Sequence, residues 1–129
     1  MARVLRPGGR FLLVDSVAPS DPELAAFLNQ LETRRDLTHQ RTLPADTWLA
    51  MFYAAGLPPL GYEYFPRHHD LDDWLARAQT PPPAQAEVRA MLADASPAAK
   101  AAFAIECVAG QPTVFTDQKI LIWADRPGM

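Results

Sequence analysis

"ARVLRPGGRFLLVDS", residues 2–16, decides the reading of the fold. Pro7 stops a helix, because its ring nitrogen has no proton to donate. Gly8 and Gly9 can take positive φ and turn the chain sharply. Phe11–Val14 is then a continuous apolar run that Asp15 closes. A short run without alternation predicts a strand buried on both faces, usually a parallel one. A helix end, a tight turn and a buried strand in succession are the middle of an α/β unit.

The rest of the chain continues that pattern. "PSDPELAAFLNQLETRRD" places Ser20 and Glu23 at capping-box spacing, with Pro22 suited to the first turn. Leu24, Phe27, Leu28 and Leu31 form one apolar face, so a helix is predicted over 22–34 or 22–35. A second helix is predicted after Thr42 as cap and Pro44 in the first turn. Its face carries Trp48, Met51, Phe52 and Ala55, and Gly56 ends it. Leu60–Phe65 reads as an aromatic-rich strand. Asp70–Ala78 predicts a short helix, 84–94 and 97–108 two alanine-rich ones, and 118–124 a final strand. "PPP" at 81–83 is a rigid break.

Composition narrows the function classes. The chain has 129 residues, 49% of them apolar, which suits one globular domain over 1–129. Its formal charge is -3 and no basic stripe stands out, so a nucleic-acid partner is not expected. No window approaches the ~20 apolar residues of a membrane span. Cys107 is the sole cysteine, which excludes an intramolecular disulfide and a cysteine zinc site. It falls in an apolar helical stretch, where a buried packing role is expected. A reducing, cytoplasmic setting fits this cysteine usage.

The ordered set of motifs resembles class I S-adenosylmethionine-dependent methyltransferases. "LRPGGRFLLVD" is similar to the segment that enters that family's fifth strand. "TLPADTWLAMFYAAGL" resembles the helix before the sixth, and "QKILIWADRP" the seventh. "LETRRDLTHQR" brings the chain nearest to the ubiquinone/menaquinone-biosynthesis-like group. The resemblance covers nearly the whole chain. It implies an α/β fold, a partial Rossmann-like sheet of about three strands with flanking helices. It also implies a helical insert over 67–112 before the last strand, read as a lid or a dimer surface. The family's glycine-rich turn after a first strand, and its ribose-binding acid, have no counterpart here. The chain therefore resembles the C-terminal half of a methyltransferase, with Met1 matching an internal methionine. S-adenosylmethionine is implied as the cofactor of the full-length enzyme and none is expected for this chain, which reads as inactive alone.

The resemblance also implies where chemistry sits. In open α/β sheets ligands bind at the carboxyl ends of strands, and Asp15 lies at such an end. It can face a substrate or capture a loop amide. Arg35, Asp36, His39 and Arg41 match a family stretch on the substrate side. There His39 can act as a general base, Asp36 can orient it, and Arg35 and Arg41 can hold an anionic substrate. A solvated linker with an internal ion pair is the alternative for that stretch. Trp48, Trp74 and Trp123 each lie on an apolar face, which favours core packing; Trp74 is also a candidate contact for a small organic ligand. "RHHD" (67–70) has no third ligand at metal spacing and reads as a cap or loop.

The expected function is therefore part of an enzyme that methylates a small organic acceptor. A non-enzymatic α+β ligand-binding or oligomerisation module is the second reading. A hydrolase built on His39 and Asp36 is the third, and it lacks a nucleophile in a G-x-S-x-G setting. A homodimer or larger assembly is expected, because a strand without its neighbour invites pairing.

Overall fold

The computed structural model describes residues 9–126. The Gly-Gly turn's upstream side, with Pro7 and Gly8, lies outside them. Nine elements follow one another: β1 (Arg10–Val17), α1 (Pro22–Arg35), α2 (Ala45–Ala54), β2 (Gly61–Asp70), α3 (Leu71–Arg77), α4 (Pro82–Ala93), α5 (Pro97–Ala102), β3 (Glu106–Val108) and β4 (Gln111–Asp125). The sheet order is β1-β4-β2, with β3 also paired to β4. Both β1 and β2 run antiparallel to β4. They are therefore parallel to each other and end at the same edge of the molecule. This is a mixed α/β architecture, as the motif order predicts.

Direct cross-strand partners share a face, so the register divides the sheet cleanly. Phe11, Leu13 and Val17 lie on the side of Ile120, Ile122 and Ala124. That side is covered by α2 and the turn that follows it, through Phe52 and Leu57. Phe11 and Phe52 meet edge to face, 5.7 Å between ring centres. The other side carries Leu12, Val14, Leu121 and Trp123. Its far end is covered where α1, α3 and α4 meet, with Leu31, Leu71, Trp74, Leu75, Val88 and Leu92 around Phe115. Leu28, Ala99 and Phe103 join α1 to α5. Gly61 is required where β2 crosses β4, because a Cβ there would stand only 2.4 Å from the Trp123 ring.

Several expectations are corrected. β1 is not buried on both faces: Leu12 and Val14 are 62% and 57% exposed. Among the described residues β4 is its only strand neighbour, so one face and one edge remain open. Asp21, not Ser20, caps α1, accepting from the Glu23 and Leu24 amides at 2.8 and 3.4 Å. Thr42 does not cap α2, which starts after Pro44 with no side-chain cap. Pro82 and Pro83 open α4 rather than break the chain, since a first helical turn needs no amide donor there.

The helix predicted over 97–108 ends at Ala102. Ala109 and Gly110, at φ 51° and 78°, form a two-residue hairpin turn that folds β3 back on β4. Ladder pairing there outweighs the alanine-rich helix propensity. Cys107 is consequently exposed rather than buried. β2 also continues through Arg67–Asp70, past the predicted end at Phe65. No described helix is long and apolar enough to cross a membrane.

Candidate functional site

The carboxyl ends of β1 and β2, the linker between α1 and α2, and the middle of β4 line a cavity of about 680 Å³. Asp15, Arg35, Asp36, His39, Arg41 and Trp74, spread over sixty residues of sequence, all line it. The reason is the chain path. β1 delivers Asp15 to the strand end, α1 returns along the sheet, and the linker 36–44 folds back over the opening.

The linker is tied to α1 by its own polar groups. Asn29 Oδ1 accepts the Thr42 amide at 2.7 Å, and Asn29 Nδ2 donates to the Thr42 carbonyl at 3.4 Å. Thr42 Oγ1 donates to Glu32 Oε2 at 2.6 Å. His39 Nε2 sits 2.9 Å from the same Glu32 oxygen and 3.2 Å from Asn29 Oδ1. Glu32 is thus the carboxylate that orients His39. Asp36 does not do so: its Oδ1 accepts from the amide and hydroxyl of Thr38, at 2.9 and 2.7 Å. Two residues of separation favour that local turn over a reach to the imidazole. Those bonds hold the Asp36 carboxyl below its ordinary range.

Burial pushes Glu32 above the ordinary glutamate value, against the opposing pull of the Thr42 hydroxyl and of His39; Asp117 adds to the rise and Lys119 opposes it. A carboxyl whose folded pKa is raised holds its proton more tightly when folded. Its contribution favours the fold below about pH 4.3 and is lost as pH rises through the raised value. Glu32→Gln should remove this slope. Urea midpoints between about pH 4 and pH 6 are expected to move in the variant's favour, relative to the parent, as pH rises. A difference that stays constant with pH would overturn this.

A second pair lies deeper. His69 Nε2 is 3.0 Å from Asp117 Oδ1, with the residues 6% and 4% exposed. His69 stacks on Phe115 at 4.9 Å, and its Nδ1 is buried without a hydrogen-bond partner. Lys119 Nζ stands 3.9 Å from Asp117 Oδ2 and donates to Ser16 Oγ at 2.5 Å. "RHHD" is therefore not a loop. Arg67–His69 are strand, and only Asp70 caps, accepting the Asp73 amide at 3.0 Å. His68 turns to the opposite face and meets Thr116 Oγ1 at 2.8 Å.

The remaining candidates have mixed surroundings. Arg35 Nε donates to the Trp74 carbonyl at 2.8 Å, with the guanidinium 4.4 Å above the Trp74 ring. Burial, then Arg77, lowers the Arg35 pKa. Trp74 packs edge to face on Phe115 and belongs to the core while forming one wall. Asp15 Oδ1 accepts the Ser16 amide at 2.7 Å. Trp48 donates from Nε1 to the Ser16 carbonyl at 3.1 Å. Glu32, His69, Asp117 and Lys119 escaped the sequence reading. The available signal was Asp117 and Lys119, two apart just before the apolar run Ile120–Ala124 and so on one face of a strand.

No family model matches the chain. It is 38% identical over 123 residues to YcgJ of Bacillus subtilis (strain 168), an uncharacterized methyltransferase, covering 95% of this chain and 49% of that protein. The crystal structure of YcgJ superimposes with a TM-score of 0.87 at 36% identity, over 99% of this chain and 55% of the other. BH2331 of Bacillus halodurans C-125, a protein assigned as a methyltransferase, superimposes with a TM-score of 0.90 at 28% identity, over 98% and 59%. This chain is similar to methyltransferases. It spans about half the length of the curated relatives it matches.

Among the described residues no glycine turn joins a strand to a following helix: Gly9 precedes β1, Gly56 follows α2, Gly61 opens β2 against the Trp123 ring and Gly110 lies in the β3–β4 hairpin.

Proposed function

We propose that this chain forms the acceptor-binding half of an S-adenosylmethionine-dependent methyltransferase, of the ubiquinone/menaquinone-biosynthesis-like group, acting on a small organic molecule. The observation that carries the reading is the convergence of His39, Arg35, Arg41 and Asp15 on one cavity at the strand carboxyl ends, in a chain similar to methyltransferases along nearly its whole length. The methyl donor is bound by residues outside those described, so the chain alone is inactive.

In this reading His39 takes a proton from the acceptor. Glu32 beside Nε2 fixes the tautomer with its proton on that nitrogen and leaves the Nδ1 lone pair for the acceptor. Arg41 steers an anionic acceptor, and Arg35 with Trp74 shapes the wall. Thr42 and Asn29 hold the linker so that His39 keeps its position.

The test joins the N-terminal half of YcgJ to this chain and measures methyl transfer from labelled S-adenosylmethionine to a panel of phenols, enols and carboxylates. His39→Ala should lower transfer about 100-fold, the low end of general-base effects. His68→Ala, whose imidazole lies on the opposite sheet face, should change it less than about threefold. A folded hybrid that binds the donor and methylates no acceptor would sink the reading, as would equal losses in the two variants.

A further inference from the structure

The chain carries a formal charge of -3, yet the cavity has the opposite balance. Its carboxylates are all engaged by neighbours. Asp36 is held by Thr38, Asp15 by the Ser16 amide, Glu32 by Thr42 and His39, and Asp117 by His69. Of the cations, Arg77 pairs with Asp73 at 3.0 Å, but others are not matched in this way. Arg41 and Arg67 line the cavity from the linker and from β2, and neither side chain makes a hydrogen bond or ion pair with a described residue. Lys119 donates to a neutral hydroxyl and stands 3.9 Å from its nearest carboxylate.

We propose that this cavity binds a small organic carboxylate, held by the guanidinium groups of Arg41 and Arg67. The inference rests on reading the cavity as the acceptor pocket and names the acceptor's chemical class. Unpaired guanidinium forks match a carboxylate's two oxygens and a phosphate's equally well. Volume favours the organic ligand: about 680 Å³ far exceeds a bare inorganic anion and falls in the range of small-molecule sites, roughly 300–1,000 Å³. The walls agree. Leu43 and Trp48 border the opening, and Trp48 is fixed by its bond to the Ser16 carbonyl. They offer apolar surface to a carbon skeleton, which a bare phosphate would leave without contact.

The probes are benzoate, its neutral analogue benzamide, and inorganic phosphate, titrated into this chain and followed by amide chemical shifts. Benzoate should bind in a saturable way, at least tenfold more tightly than benzamide, with shifts centred on the linker 36–43 and on residues 67–69. Arg41→Gln with Arg67→Gln should weaken benzoate at least tenfold. Both side chains are exposed, so the double variant keeps the parent's circular dichroism. Arg34→Gln, on the outer face of α1 against Glu87, should leave binding unchanged. Equal affinity for benzoate and benzamide would overturn the proposal, as would an undiminished double variant. Phosphate binding as tightly as benzoate would overturn the carboxylate assignment. None of these readouts needs methyl transfer. A failure here therefore leaves the methyltransferase reading standing, and an inactive hybrid leaves this one standing.

Discussion

Asp117→Ala should destabilise the fold by about 3–5 kcal/mol, the cost of removing one partner of a buried pair. Asp117 is 4% exposed and faces two groups that need it, His69 and Lys119. His69 Nε2 loses its only partner among the described residues, at 3.0 Å, and Lys119 loses its nearest described carboxylate. His69 cannot turn to water, because it is stacked on Phe115 and lies 6.0 Å from Trp74. An unsatisfied buried nitrogen would then join Nδ1, which already has no partner. With a slope of about 1.5 kcal/mol/M, the urea midpoint should fall by about 2 M or more. That is a large share of a small domain's stability. Asp117→Asn keeps an oxygen for the imidazole N–H and should cost clearly less. Asp15→Ala, at an exposed carboxylate bonded to its own neighbour's amide, should stay within about 0.5 kcal/mol. A loss below about 1 kcal/mol for Asp117→Ala would show that the pair contributes little.

This pair also marks where sequence reading stops. Helix α1 was legible because Leu24, Phe27, Leu28 and Leu31 repeat at helical spacing, and its observed span is Pro22–Arg35. α2 ends where Gly56 takes φ 76°. Those signals are local. β3 was not legible: alanines promote helix residue by residue, whereas the pairing that makes 106–108 a strand depends on 111–114 across a turn. The cavity shows the same division. The stretch Arg35–Arg41 announced itself as polar sequence between apolar helices. His69 and Asp117 are 48 residues apart, and each looks ordinary where it stands. Only the β2–β4 register brings them together. His39 is an intermediate case. Proximity in sequence suggests Asp36, three residues away, as its partner, while the fold supplies Glu32 from one turn further back in α1.

The isolated chain should form a homodimer or larger assembly at micromolar concentration. β1 is the edge of the sheet among the described residues, so a row of backbone amides and carbonyls faces outward. Such an edge is a template for another strand. Beside it lies an apolar face that no described helix covers. Leu12 and Val14 are exposed there, directly across from Trp123 and Leu121. Phe65, on the same face of β2, adds to it. A solvated sheet face ordinarily alternates polar residues outward; here the outward residues are leucine and valine. A second copy supplies what both features lack. Its β1 can pair antiparallel with the first about a twofold axis, and that operation brings the two apolar faces side by side. Burial returns about 25 cal/mol per Å² of apolar surface, and interfaces of about 1,600 Å² in total are stable. Charge on the face should prevent this without touching the core. Leu12→Lys with Val14→Lys places two like charges beside the edge, a device that natural edge strands use. Light scattering coupled to size exclusion should give at least twice the chain mass for the parent and a single-chain mass for the variant. A single-chain mass for the parent would defeat the expectation. An unchanged dimer in the variant would move the contact away from this face.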